Sequence, residues 1–161
     1  MRIRHTLLLC TATAALLGGC SGGAAEPGDD AGREWNPKTA LRRAERALDA
    51  AAGEGAGPES VDSGTAFIAS GLEQEFAAPG DRPYRLDITC DAVGIEEAAL
   101  TLSRGGKEQT YDVGCGDRQA DRFDIPAGRP FTARVEAVKD GTGLILWRLG
   151  TVSPGEVSGF P

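Results

Sequence analysis

The chain has 161 residues, enough for one domain of ordinary size with short extensions. Asp and Glu number 24 against 17 Lys and Arg, a formal net charge of −7, and this acidic balance opposes binding to nucleic acid or to anionic lipid headgroups. The sequence contains one histidine, His5, which leaves little scope for a site that depends on imidazole.

The N-terminus has the organisation of a secretory leader. Two arginines precede an apolar core that extends roughly from Leu7 to Leu17. This core is too short for a membrane span, which takes about twenty apolar residues. We predict that residues 1–19 are a signal peptide that is removed together with His5. A mature chain without histidine excludes a Ser-His-Asp triad and a histidine-ligated zinc site.

The leader ends in Leu17-Gly18-Gly19-Cys20. This tetrapeptide resembles the lipobox of bacterial lipoproteins, in which the cysteine thiol receives a diacylglyceryl group and a peptidase then cleaves before it. The resemblance implies cleavage between Gly19 and Cys20 and lipidation of Cys20. It also implies a lipid-anchored protein on the extracytoplasmic face of the cell membrane. The alternative is an ordinary secretory signal with an unmodified cysteine.

Beyond the leader, residues 20–34 are rich in Gly, Ala and Asp, a composition typical of a flexible tether. Residues 35–52 are predicted to form an amphipathic helix, with Asn36 as N-cap and Pro37 in the first helical position. Its apolar face consists of Ala40, Leu41, Ala44, Ala47, Leu48 and Ala51. Packing on the domain, binding to a partner, contact with a membrane surface and a free helix all remain open. Residues 53–64 are predicted to be a second linker.

From Thr65 onwards apolar residues recur at every second position, which is the period of a strand. Strands are predicted at 65–70, 72–78, 84–90, 97–103, 109–115, 122–125, 130–138 and 144–152. Segments rich in Gly, Pro and Asp separate most of them. Short strands without intervening helices indicate an all-β fold, an antiparallel β-sandwich of seven or eight strands over residues 65–152. Residues 153–161 are predicted to be a tail.

Cys90 and Cys115 are the two thiols that the predicted processing leaves unmodified. Both end predicted strands on the side that faces inward. Their spacing differs from that of a redox C-x-x-C motif, and the mature chain has no histidine to lower a thiol pKa. We predict a structural disulfide between them, as expected outside the membrane where oxidation is permitted.

Three groups of side chains suggest other functions. A cluster of aspartates could hold calcium, four glutamates could supply the paired carboxylates of a glycosidase, and three aromatic rings could form a platform for a sugar. Each group has a simpler interpretation. The aspartates alternate with arginines that could form ion pairs with them, the glutamates fit an ordinary acidic surface, and the aromatic rings fit the core. The aspartates are Asp112, Asp117, Asp121 and Asp124, the glutamates are Glu73, Glu75, Glu96 and Glu97, and the aromatic residues are Tyr84, Tyr111 and Trp147.

The whole layout resembles small actinobacterial lipoproteins of unknown function, which share a lipobox, a low-complexity tether and a disulfide-stabilised β-domain. This resemblance carries no activity with it. Our first hypothesis is therefore a non-enzymatic, membrane-anchored module that binds or scaffolds an envelope protein or glycan, with no catalytic residue, metal or cofactor and no nucleic-acid partner. A carbohydrate- or calcium-binding β-sandwich is the alternative, and a hydrolase that uses carboxylates is the third hypothesis.

Overall fold

The structure, a computed structural model, describes residues 34–53, 59–77, 82–116, 119–128 and 130–153. Gly19, Cys20, the rest of the predicted signal peptide and nearly all of the predicted tether and tail lie outside these residues. The described elements are α1 (Pro37–Ala52), β1 (Glu59–Phe67), β2 (Leu72–Phe76), β3 (Tyr84–Val93), β4 (Glu97–Arg104), β5 (Lys107–Gly114), β6 (Asp121–Ile125), β7 (Phe131–Val135) and β8 (Thr142–Thr151).

The strands form two four-stranded antiparallel sheets, which confirms the predicted sandwich. Sheet A has the strand order β1-β8-β3-β6, and sheet B has the order β2-β7-β4-β5. The pairs β1·β8, β2·β7, β3·β6 and β4·β5 together describe one long hairpin that is folded over on itself. This strand order is that of a jelly roll. The tip of the hairpin is the β4–β5 turn, where Gly105 and Gly106 both have positive φ, as a two-residue turn of type I′ requires.

Alternate residues of both sheets meet in one apolar core. Phe76 of sheet B joins the two layers, because its ring stacks on Phe131 at 4.7 Å and meets the edge of Trp147 of sheet A at 5.1 Å. Leu86 and Ile88 of β3 are almost completely buried in the same core. The inward face that the period-two pattern predicts for these strands is therefore the face that the structure buries.

Helix α1 forms where the sequence predicts it. The Asn36 side chain accepts hydrogen bonds from the backbone N–H groups of Lys38 and Thr39, at 3.0 and 3.2 Å, and Gly53 follows the last turn with φ of 76°. The helix packs on the outer face of sheet A, with Ala40, Ala44 and Leu48 against Leu144 and Leu146 of β8. Of the four placements that the sequence left open, the structure shows packing on the domain.

The structure differs from the sequence prediction in the first strand. β1 begins at Glu59, inside the segment 53–64 that was expected to be a linker. Most of its side chains are exposed and polar, so they carry no apolar alternation. Backbone pairing with β8 makes this segment a strand, in a register that places Gly64 opposite Trp147.

Gly64 is required by that register. A Cβ atom at this position would lie 2.7 Å from Cζ2 of Trp147, well inside van der Waals contact. Trp147 is 4 % exposed and belongs to the core, and close-packed interiors leave little room for a ring to shift.

We therefore expect Gly64→Ala to lower the free energy of unfolding by about 1–3 kcal/mol, the usual cost of overpacking a core. Denaturant unfolding of the purified protein measures this loss. Thr65→Ala, at the neighbouring exposed position of β1, is the matched control and should change stability by less than about 0.5 kcal/mol. Equal losses in the two variants would contradict the packing of Trp147 against Gly64.

Candidate functional site

Cys90 and Cys115 form the disulfide that the sequence predicts. Cys90 of β3 is bonded to Cys115, which directly follows β5, with a Cα–Cα distance of 4.5 Å. The backbone N–H of Cys115 donates to Glu96 O at 2.7 Å, and that of Gly116 donates to Cys90 O at 3.0 Å. Since β3 lies in sheet A and β5 in sheet B, this bond joins the two layers of the sandwich. Its role is structural.

Ion pairs fasten α1 to sheet A on the side of β3. The Arg43 guanidinium donates two hydrogen bonds to the Asp91 carboxylate, from Nε at 2.7 Å and from Nη2 at 2.8 Å. Arg43 lies on the charged side of the helix and Asp91 on the side of β3 that alternation assigns to solvent. Both were therefore missed as interacting residues, because their contact exists only once the helix covers the sheet.

Arg122 connects three elements at the other end of the helix. Its Nε donates to Asp87 Oδ1 at 2.8 Å, and its Nη2 donates to the carbonyl oxygen of Ala51 in the last helical turn. The Asp87 carboxylate is almost fully buried, and a buried charge requires a partner of this kind. A guanidinium at the C-terminus of a helix also satisfies a carbonyl group and complements the helix dipole.

The three aromatic residues of the sugar-platform hypothesis lie in or against the core. Tyr84 and Trp147 are 5 % and 4 % exposed, and the half-buried Tyr111 packs on Phe123 with ring centroids 4.8 Å apart. Burial raises the pKa of the Tyr111 phenol above its ordinary value. Tyr84 and Trp147 are therefore core residues and Tyr111 packs against the core, as the core interpretation of the sequence predicts.

Burial also shifts the pKa of a second side chain, Arg104. The Arg104 guanidinium donates from Nη1 to the carbonyl oxygen of Pro126 at 2.7 Å and lies 5.6 Å from the centroid of the Phe131 ring. Desolvation lowers the pKa of this side chain. Arg104 therefore has a structural role, because its guanidinium contacts an aromatic ring and a backbone carbonyl of the fold.

The acidic residues singled out in the sequence do not converge. Asp124 pairs with Arg85 at 3.1 Å, Asp121 accepts the backbone N–H of Gly114 at 3.1 Å, and Asp112 is exposed. Asp117 lies outside the described residues. Across the described ranges, no three His, Cys, Asp or Glu side chains gather where they could hold a metal ion. The four candidate glutamates, Glu73, Glu75, Glu96 and Glu97, are all exposed.

The outer face of sheet B forms a polar surface, here called the hydroxyl face. Thr101 and Thr110 lie side by side on β4 and β5, with their hydroxyl oxygens 3.1 Å apart. In the neighbouring row the Ser103 hydroxyl donates to Glu108 at 3.1 Å. β7 continues the face with its outward residues, Thr132 and Arg134. The hydroxyl face consists of Thr101, Ser103, Thr110, Thr132 and Arg134.

Comparison with known proteins does not assign a family. No protein-family profile matches the sequence, and neither does any curated protein. Solved structures that are similar include Pseudomonas aeruginosa AlgX (15% identity, TM-score 0.42), the capsular polysaccharide assembling protein CapF of Staphylococcus aureus (13%, 0.37), and a family GH115 4-O-methyl-α-glucuronidase with specificity for decorated arabinogalactans (17%, 0.38). The matches cover 61%, 62% and 55% of this chain but only 28%, 27% and 14% of those proteins. These low values assign no activity.

Among the described residues, no helix combines the length and apolar character of a membrane span.

The role of Arg122 gives a direct test. Arg122→Ala leaves the buried Asp87 carboxylate without its guanidinium and removes the donor at the end of α1. We expect a loss of about 1–3 kcal/mol in the free energy of unfolding, as for a buried charge that loses its hydrogen-bond partner. Denaturant unfolding is the measurement.

Arg82→Ala is the matched control. Arg82 approaches Glu59 only to 3.9 Å, and the two side chains are 64% and 81% exposed. Such a surface pair contributes about 0–1 kcal/mol. A loss in Arg122→Ala no larger than in this control would show that Arg122 does not fasten the helix.

Proposed function

We propose that this protein is a lipid-anchored jelly-roll module outside the cell membrane, and that it binds or scaffolds a partner at the cell envelope without catalysing a reaction. The observation that carries the proposal is the lipobox-like sequence from Leu17 to Cys20 behind a basic, apolar leader. Two acyl chains on Cys20 hold the chain stably, since one chain alone gives only marginal anchoring.

The disulfide supports an extracytoplasmic location. Disulfides persist in oxidising compartments and are rare in the cytosol. In the chain-entropy estimate, closing the loop between Cys90 and Cys115, which are 25 residues apart, stabilises the fold by about 3.5 kcal/mol. A small β-domain with such a bond is suited to the exterior of a cell.

The surroundings of the candidate acids support a binding role over an enzymatic one. Catalytic carboxylates usually lie in partly desolvated sites that shift their pKa. The described glutamates are exposed, while Asp87, Asp91 and Asp124 are engaged by arginines of the fold. Those arginine pairs have a structural explanation that requires no substrate.

A second candidate function is carbohydrate binding by the hydroxyl face. Thr101 is only 8% exposed, but the hydroxyl groups of Ser103, Thr110 and Thr132, the Arg134 guanidinium and the neighbouring Glu73 offer donors and acceptors for sugar hydroxyls. α1 covers the outer face of sheet A, whereas the hydroxyl face has no helix over it in the described part of the chain. Without a stacking ring, such binding relies on hydrogen bonds alone, and we expect it to be weak.

The anchoring proposal is tested at Cys20. In a bacterial host, the full chain should incorporate labelled palmitate and sediment with membranes, and Cys20→Ala should lose both properties because the acceptor thiol is absent. Cys10→Ala, which removes the other leader cysteine, is the control and should behave as the parent does. Membrane retention of an unlabelled Cys20→Ala chain would refute the lipid anchor.

The carbohydrate candidate is tested with envelope polysaccharides as the titrant. Isothermal titration of the full chain should show binding that Arg134→Ala weakens several-fold, because one charged donor of the hydroxyl face is lost. Arg82→Ala, on a different surface, should leave the affinity unchanged. Equal weakening in both variants, or no heat with the parent chain, would reject this function while leaving the anchoring proposal untouched.

A further inference from the structure

β1 is an edge strand of sheet A. It pairs with β8 on one side, and in the part of the chain that the structure describes no strand lies on its other side. An edge strand presents a row of N–H and C=O groups that can pair with another strand. The question is whether this edge is protected, as the edges of stable monomers usually are.

The free backbone groups of β1 can be identified from one hydrogen bond. The N–H of Ile68, directly after β1, donates to Gly143 O at 3.1 Å. Because residues of an antiparallel ladder bond to the same neighbour at every second position, Gly64 and Ala66 also bond to β8. The backbone groups of Ser63, Thr65 and Phe67 therefore point away from β8. Two of them already have partners within the chain, because the Ser63 N–H donates to Asp62 Oδ1 at 2.8 Å and Phe67 O accepts from the Ser70 N–H at 2.9 Å. The N–H and C=O of Thr65, the C=O of Ser63 and the N–H of Phe67 remain for a second strand.

The N-terminal half of β1 is protected. A β-bulge interrupts the register between Ser60 and Asp62, and Glu59 and Asp62 add negative charge. Bulges and charges are the usual means of preventing edge-to-edge pairing. The other edge strands carry charges as well: Glu73 and Glu75 on β2, Lys107, Glu108 and Asp112 on β5, and Asp121, Arg122 and Asp124 on β6.

The C-terminal half of β1 has none of these features. Ser63–Phe67 contains no charge, no proline and no bulge. Phe67 is 58% exposed, one of the few large apolar side chains that the described surface presents. An uncharged segment with an exposed ring, and with outward backbone groups centred on Thr65, is suited to pairing with another uncharged strand.

We propose that Ser63–Phe67 pairs antiparallel with the same segment of a second copy of this chain, so that two copies of sheet A become one continuous sheet. The two-fold axis passes through Thr65, which exchanges both of its hydrogen bonds with Thr65 of the second copy. Ser63 then lies opposite Phe67 of the second copy, and the reverse. The interface is isologous, as in most closed dimers.

Charge and geometry select this register. If the axis passes through a hydrogen-bonded pair, the central residue has outward-pointing backbone groups, which leaves Ser63, Thr65 and Phe67. If it passes through a non-hydrogen-bonded pair, the central residue is Gly64 or Ala66. A centre at Ser63 would draw the bulge and Asp62 into the paired region, and a centre at Phe67 would require pairing beyond the end of β1. A centre at Gly64 would set Asp62 opposite Ala66, and a centre at Ala66 would set Ser63 opposite residue 69, beyond the end of β1. The Thr65 centre keeps the acids of both copies outside the paired segment and pairs all three outward residues.

The expected interface is small. Pairing of two five-residue segments buries less than the roughly 1,200 Å² of the smallest standard interfaces, so the dimer is weak and exchanges rapidly. A covalent trap at the two-fold axis is therefore the appropriate test. Such a trap also reports the register, because the distance between the same residue in the two copies grows steeply with its distance from the axis.

The test is Thr65→Cys in the full chain under mild oxidation, followed by non-reducing electrophoresis and intact mass. Directly opposite residues of a hydrogen-bonded pair have Cα atoms about 5.5 Å apart, within the range of about 4.4–6.8 Å that a disulfide spans. We expect a product of twice the chain mass, well above the background of the parent chain with its own cysteines.

Ser63→Cys is the matched control on the same strand and the same face. In the proposed register the two Ser63 residues are offset by four positions, about 14 Å, and should form no more dimer than the parent. Adding Ser63→Lys to Thr65→Cys should lower cross-linking several-fold, whereas Thr110→Lys on β5 should not.

Three results would overturn the proposal: Thr65→Cys at the parent's background, Ser63→Cys cross-linking as well as Thr65→Cys, or a product whose mass is not twice that of the chain. The last result would assign this edge to a different partner. The double variant Cys20→Ala/Thr65→Cys separates this proposal from the anchoring proposal. It should still form the cross-link without the acceptor thiol for the lipid, since the cross-link requires only the edge strand.

Discussion

The fold depends on the burial of β3 and β8 from both sides. Ile88 and Trp147 face the core between the sheets, while Leu144 and Leu146 face α1. Burying a leucine side chain contributes roughly 1.5–3 kcal/mol, so the helix is part of the hydrophobic structure although its own apolar face is mostly alanine. Small helix residues allow close approach to the sheet, and the leucines of β8 supply the apolar surface that the helix lacks. Without α1, the central strands of sheet A would expose an apolar face.

This covering also explains the buried charges. Asp87 and Asp91 lie on the outer side of β3, which would be solvated in an open sheet, and the helix excludes water from them. Arg122 and Arg43 compensate that loss of hydration through short hydrogen bonds. A buried ion pair contributes little net stability, yet the loss of one partner is costly. The main effect of these ion pairs is therefore to specify where the helix lies on the sheet. Their contribution to the net stability of the helix–sheet contact is smaller.

The jelly roll divides its surfaces between structural and potential binding roles. Sheet A carries the helix, the disulfide joins its β3 to the other layer, and sheet B presents a polar outer face. The edges of the sheets are charged except for the second half of β1. The lipid anchor that we propose at Cys20 would favour weak interactions of these surfaces, because anchored molecules meet at high local concentration.

The sequence by itself determined the features that depend on neighbouring residues. Alternation predicted the strands from Leu72 to Thr151, and the Asn36 cap and Gly53 marked the ends of the helix. Cys90 and Cys115 lie at the ends of predicted strands on the inward-facing side, which predicted their disulfide. Only the tertiary structure decided the rest, because it depends on contacts between distant segments. Residues 59–64 become a strand through pairing with β8, and polar positions such as Asp87 become buried through the helix. Strand order, the hydroxyl face and the unprotected part of β1 follow from which strands lie side by side, and a local pattern carries no information about that choice.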